Sequence, residues 1–205
     1  GMVTIPLMAN TTLALTPMEG GLRLMRLTGA IPAGAIIGGI LCQRLDYRIP
    51  AFLGLSLAAF GYSLMSGWGT DIADPVLTVH LAVAGFGFGL LVAPILLAAT
   101  ESVGEEDRGT AAAMVTAMRM VGMTLGLAAL TAWGSVRFQG LVTGSQLPFA
   151  VPGETAALTQ QRVQEFDAHL TSAGTTLFSE FFLIAMAVCL AGLLPVSLMA
   201  WRRRC

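Results

Sequence analysis

Long apolar runs without a charged residue constrain the fold of this chain more than any other feature. No charged residue lies between Arg48 and Asp71, and similar runs recur along all 205 residues. Only 11% of the residues are charged, whereas a soluble domain carries roughly 25%. Since a helix needs about 20 mostly apolar residues to cross a bilayer, these runs predict an all-α membrane protein with several spans.

The apolar runs divide the chain into six predicted helices that form one transmembrane bundle. Their approximate bounds are 2–15, 21–41, 50–66, 75–99, 110–133 and 175–201, with a polar extracytoplasmic segment at 134–174. The first run is too short to span a bilayer, which predicts that this helix is truncated. Within the polar segment, Val163, Phe166 and Leu170 lie at helical spacing, which predicts a short helix on the membrane surface.

Arginines predict the orientation of the bundle. Six of them fall in the loops or terminus on one side of the predicted membrane and two on the other. The six are Arg44, Arg48, Arg108, Arg202, Arg203 and Arg204, and the two are Arg137 and Arg162. Because basic residues accumulate in cytoplasmic loops, the first side and the C-terminus are predicted to be cytoplasmic, in a bacterial inner membrane.

One arginine, Arg119, lies inside a predicted membrane helix, about three turns beyond a turn that ends at Arg108. An arginine at the centre of a membrane helix costs about 2.5–3.5 kcal/mol on insertion scales. Two interpretations remain open. Arg119 lines a central cavity and pairs with substrate or a carboxylate of another part of the protein, or it extends roughly 15 Å to the cytoplasmic interface.

Three further charged residues and one histidine are candidates for a site near the opposite side of the membrane. Arg23 and Arg26 share one face of the second helix, where they either extend into the lipid headgroups or form a positive rim to an outer vestibule. Glu180 lies at a similar depth, as a partner of Arg23 or Arg26, a proton carrier, or a favourable acid in a helix N-terminal turn. His80 is either an interfacial residue or a titrating one.

Glycine pairs four residues apart predict where helices pack closely, because a residue without a side chain lets two backbones approach. The predicted packing residues are Gly34, Gly38, Gly85, Gly89, Gly122 and Gly126. Gly85-x-Gly87-x-Gly89 also has a superficial likeness to a dinucleotide fingerprint, but no strand precedes it, which argues against that function.

Catalytic, metal and nucleic-acid sites are not predicted. Cys42, Cys189 and Cys205 are far apart, without a C-x-x-C motif or a neighbouring histidine. The net charge of −1 provides no basic surface for nucleic acid. We therefore expect a protein that is not an enzyme and needs no cofactor.

Two motifs resemble the C-terminal half of a major facilitator superfamily transporter, most closely the drug:proton antiporter type with 14 helices. The sequence GGILCQRLDYR is similar to the family's cytoplasmic loop motif, with matches at Gly38, Gly39, Leu41, Arg44 and Arg48. It departs at Gln43, where the family has Asp, and at Asp46, where it has Gly. Arg108-Gly109 followed by Arg119, Gly122 and Gly126 resembles the family's RG…R-x-x-G-x-x-x-G helix.

The resemblance implies a fold and a function. It implies the C-terminal six-helix bundle of the major facilitator fold, with the lipid bilayer, an absent N-terminal half, a small amphipathic substrate and protons as partners. The implied activity is proton-coupled efflux of amphipathic drugs by alternating access. Two alternatives remain: a non-transporting membrane assembly subunit or truncated pseudo-transporter, and uptake of a metabolite or anion by the same fold.

Overall fold

The computed structural model describes residues 17–68, 74–143 and 156–198. These residues form five α-helices and contain no β-strand. A single turn of 3-10 helix, Glu105–Asp107, leads into the fourth helix. The helices are α1 (Pro17–Arg44), α2 (Arg48–Ser66), α3 (Asp74–Glu101), α4 (Arg108–Val142) and α5 (Ala156–Leu198).

All five helices are long and apolar enough to cross a membrane. The prediction of an all-α chain with several helices of membrane-spanning length is therefore confirmed for the described residues. The predicted helix at 2–15 lies outside them, as does the arginine-rich end at 199–205. Successive helices run in opposite directions, so the α1–α2 loop and the turn before α4 share one end of the bundle. We call it the Arg44 end and the opposite end the Trp68 end.

The structure corrects the predicted boundaries of the polar segment 134–174. Helix α4 continues to Val142, and α5 begins at Ala156, so the apolar stripe around Phe166 belongs to one continuous helix of 43 residues. A helix satisfies its own backbone hydrogen bonds wherever it lies. Polar side chains in these stretches therefore affect whether water or lipid surrounds the helix, but they do not end it.

Close backbone contact joins α1 and α3, which run in the same direction. A Cβ added at Gly34 would collide with the carbonyl oxygen of Phe86, and one at Gly89 would collide with that of Ile31. One added at Gly38 would lie 2.9 Å from the carbonyl oxygen of Leu90. Gly85 is equally confined, since a Cβ there would strike the Leu27 carbonyl. Glycine at these positions is what lets the two helices approach so closely.

Helix α2 packs between α3 and α5. A Cβ at Gly61 would lie 2.8 Å from Ala84 of α3. On its other side, α2 packs against α5, where Ser179 Oγ donates a hydrogen bond of 2.6 Å to the carbonyl oxygen of Ser66. Tyr62 stacks on Phe182 with ring centroids 6.3 Å apart. The buried core of the described bundle therefore lies among α1, α2, α3 and α5.

Helix α4 stands apart from this core. Every residue from Thr116 to Ala129 is exposed, so no described helix covers any face of the middle of α4. Toward the Trp68 end α4 packs on α5, where Gly134 is buried against Phe181 and Trp133 lies 5.7 Å from the same ring. The middle of α4 is thus left without a neighbour among the described helices.

Candidate functional site

Arg119 lies on the uncovered part of α4 and is exposed. Among the described residues it makes no hydrogen bond or ion pair. Gly122 and Gly126 follow it on the same helix, and a Cβ added at either would meet no atom within 4 Å. The structure therefore places the arginine and the glycine pair of the second motif together on an open surface. We call the surface from Thr116 to Ala129 the α4 surface.

Glu180 is paired with Arg137, whereas a partnership with Arg23 or Arg26 is one of the three interpretations that the sequence left open for it. The Arg137 guanidinium donates from Nη2 to Oε1 at 2.6 Å and from Nε to Oε2 at 2.9 Å. This two-point geometry matches the planar guanidinium to the planar carboxylate. The two residues are 43 positions apart, and Arg137 was placed in a loop, so no local pattern in the sequence indicated this pair.

Arg26 connects α1 with α3 near the Trp68 end. Its Nη1 donates a hydrogen bond of 2.7 Å to Thr78 Oγ1, and the Arg26 side chain is exposed. The side chain of Arg23 lies outside the described part of the chain. The structure therefore assigns Arg26 a contact between helices and leaves the predicted positive rim an expectation.

His80 accepts a hydrogen bond from a tryptophan. Trp68 Nε1 lies 2.9 Å from His80 Nδ1, and Trp68 is only 6% exposed. The pair joins the residues just after α2 to the first turns of α3. Sequence reasoning singled out His80 but not its partner, which lies 12 positions earlier.

The loop motif lies at the Arg44 end, between α1 and α2. Arg44 occupies the last turn of α1, and Arg48 is the first residue of α2. The backbone N–H of Arg48 donates to Asp46 Oδ1 at 3.1 Å. Asp46 stands where the resembled family has glycine, and here its carboxylate satisfies a backbone donor at the start of a helix. Gly39 of the same motif lies near Ala93, whose Cβ would be 4.0 Å from an added Cβ.

Metal ligands are not grouped in the described part of the chain. In the ranges 17–68, 74–143 and 156–198, no three His, Cys, Asp or Glu residues come together in a way that could hold an ion. What these residues do offer is an unpaired guanidinium beside a wide apolar surface, at mid-helix on α4.

Comparisons with known proteins associate the chain with transporters. No family model matches the sequence. A protein named "Probable triacylglyceride transporter" from Mycobacterium bovis is 33% identical over 213 residues, covering 98% of this chain and 40% of that protein. A triacylglyceride transporter from Mycolicibacterium smegmatis is 34% identical over 204 residues, covering 94% and 36%. One from Mycobacteroides abscessus is 40% identical over 147 residues, covering 67% and 29%.

The chain therefore spans between 29% and 40% of the length of these three relatives. The names of these relatives and the five apolar helices together support a membrane protein related to transporters.

Proposed function

We propose that this chain is the C-terminal half of a secondary active transporter with the major facilitator fold, and that the α4 surface faces the rest of the protein across a central cavity. The carrying observation is that α4 is exposed on every face from Thr116 to Ala129 although it contains Arg119. An arginine at this depth requires a partner or water. The matched relatives are long enough to supply one, since the chain covers only 40% of them.

The substrate class that we propose is an apolar lipid. Triacylglyceride is the compound in the names of the relatives. The α4 surface is compatible with it, because Met118, Met120 and Met123 are each at least half exposed there. Methionine side chains are unbranched and adapt to varied apolar shapes. The same property supports a second candidate, export of an amphipathic drug.

The mechanism that we propose is alternating access driven by protons. Two bundles rock about a site near the middle of the bilayer, and the tight α1–α3 contact moves as a rigid unit within one of them. An inward-moving proton gains about 2.3 kcal/mol per 100 mV of membrane potential. Arg119 provides a fixed positive charge at the cavity wall, which a carboxylate in the other half neutralises in one of the two states. The C-terminus of this chain is cytoplasmic in this scheme.

Transport by the full-length protein in proteoliposomes tests the proposal. With an imposed pH gradient, we expect a fluorescent triacylglyceride to leave the bilayer that holds the transporter, whereas the 205-residue chain alone supports no transport. A lipophilic cation dye and an organic anion are assayed in parallel. Movement of the dye alone favours drug export, and movement of the anion alone favours metabolite uptake. No movement of any of the three favours a non-transporting subunit and contradicts the proposal.

The role of Arg119 is tested in the same assay with Arg119→Ala. We expect a loss of at least tenfold in the transport rate at unchanged protein level, because the cavity then lacks its positive charge. Arg108→Ala is the matched control, since Arg108 is 54% exposed at the start of the same helix and pairs only loosely with Glu105, at 3.4 Å. Equal activity of Arg119→Ala and the control would show that Arg119 extends to the membrane interface instead.

A further inference from the structure

The hydrogen bond between Trp68 and His80 fixes the protonation state of the histidine. An indole N–H can only donate, so His80 Nδ1 must accept without a proton of its own at the observed 2.9 Å. This hydrogen bond therefore requires the neutral imidazole, with its ring proton on Nε2. A second proton on the imidazole would place two donors face to face.

The orientation of the rings gives a protonated His80 no compensating interaction with Trp68. The two ring planes differ by only 16°, with centroids 6.2 Å apart, and Trp68 Nε1 lies 2.9 Å from His80 Nδ1, so the two nearly parallel rings meet through their nitrogen edges. The edge of an aromatic ring is the positive part of its quadrupole, and the face is the negative part. A cation at His80 would meet the unfavourable edge rather than the face that stabilises cations.

Trp68 is a contact shared by three helices. It follows the C-terminus of α2, bonds to α3 through His80, and packs its ring edge-to-face on Phe182 of α5 at 5.6 Å. Beside it, Ser179 of α5 donates to the Ser66 carbonyl. Because Trp68 is buried, its N–H would lose the acceptor that it has among the described residues if His80 turned away.

We propose that Trp68 and His80 form a pH-sensitive latch, which holds α2, α3 and α5 together at the Trp68 end when His80 is neutral and releases when it is protonated. Histidine side chains change charge between about pH 5 and 8. The latch is inferred from contacts within this bundle and does not depend on the proposed transport function. It makes the packing of this end respond to the pH on that side of the membrane.

Three charged or titratable side chains described on the helices around His80 have contacts of their own, whereas the side chains of Arg23 and Asp74 lie outside the described residues. On α1, Arg26 donates to a threonine hydroxyl of α3. On α5, Glu180 is held by Arg137 of α4. On α2, Tyr62 packs between aromatic rings of α3 and α5. The latch is thus assigned to the imidazole of His80.

The fluorescence of Trp68 tests the latch directly. The 205-residue chain in lipid nanodiscs is prepared with Trp133→Phe and Trp201→Phe, so that Trp68 is its only tryptophan. We expect its emission to fall and shift to longer wavelength between pH 8 and pH 5, because an imidazolium quenches a neighbouring indole and the ring becomes more exposed. His80→Asn should remove this dependence while keeping the emission seen at pH 8, since the Asn carbonyl accepts the same hydrogen bond without titrating.

Two further measurements make the test independent of that variant. His169→Asn alters the other histidine of the chain and should retain the full pH response. The ¹⁵N chemical shifts of the unsubstituted chain should show Nδ1 of His80 unprotonated at pH 8 and protonated at pH 5. A constant emission with pH, a response that persists in His80→Asn, or an Nδ1 that is protonated at pH 8 would each overturn the proposal. Faster amide exchange at residues 64–68 at pH 5.5 in the unsubstituted chain than in His80→Asn would support release of α2.

Discussion

At the scale of single residues, the Arg137–Glu180 ion pair determines where α4 meets α5. Both side chains are partly exposed, at 47% and 27%, which limits what such a pair adds to stability. Its two-point geometry instead specifies the register of the two helices. Next to it, Gly134 admits the Phe181 ring against the α4 backbone. Together these contacts hold α4 against α5 near the Trp68 end.

Exchanging the charges of this pair should separate the effect of electrostatic attraction on stability from the effect of side-chain packing. We expect Arg137→Glu and Glu180→Arg each to lower the melting temperature of the 205-residue chain in detergent, because each places like charges together. The double exchange should recover most of the loss. Thermal unfolding followed by size-exclusion chromatography measures both effects, with Arg108→Glu as a control for added charge at an exposed position of α4. If the two single effects simply add in the double variant, the residues do not interact as the structure shows.

The sequence could indicate Glu180 and Arg119 as unusual, because an ionisable residue in an apolar run stands out without any structure. It could not indicate the partner of Glu180. Arg137 follows Gly134 and Ser135 and precedes Gln139 and Gly140, and this composition is typical of a loop. The actual helix persists because its backbone bonds are local and its polar side chains are free to face water. Pairing across 43 residues is set by tertiary packing, which no local pattern contains.

At the scale of helices, the same glycine spacing has opposite consequences on α1 and α4. Gly34 and Gly38 press on α3, whereas Gly122 and Gly126 meet nothing within 4 Å. The spacing indicates that a second helix is able to approach the glycine-containing helix closely. Whether that helix lies within the same 205 residues is information that the spacing does not contain, so only the structure separates the two cases.

A pair of alanine substitutions on α1 tests the close α1–α3 contact. Gly34→Ala would drive a Cβ into a backbone carbonyl that cannot rotate away, and we expect it to cost about 1–3 kcal/mol, as overpacking does. Gly29→Ala on the same helix has no atom within 4 Å and should be neutral or stabilising by up to about 1 kcal/mol. Thermal stability of both variants in detergent provides the comparison, and equal melting temperatures would contradict the described contact.

At the scale of the whole molecule, the uncovered middle of α4 shows that the helix contacts of this chain fall into two groups. Those between α1 and α3 and between α2 and α5 are complete within the 205 residues. Residues on the α4 surface, which includes Arg119, are predicted to become buried only against the second half of the proposed transporter. A matched relative is long enough to contain such a half, because this chain covers only 40% of it. The effect of a substitution on the melting temperature should therefore depend on the length of the expressed protein for the α4 surface, but not for the α1–α3 and α2–α5 contacts.

Gly126→Leu tests this difference because it adds a large side chain to the α4 surface. In the 205-residue chain we expect an unchanged melting temperature, since the new side chain enters open space. In the full-length protein the same substitution should lower the melting temperature and abolish transport, because a helix of the other half then meets a leucine where it would pack on a glycine backbone. Gly34→Leu, at the contact complete within this chain, should destabilise both lengths alike. A Gly126→Leu variant that is tolerated at both lengths would show that the α4 surface faces lipid, and would remove the main support for a second bundle on that side.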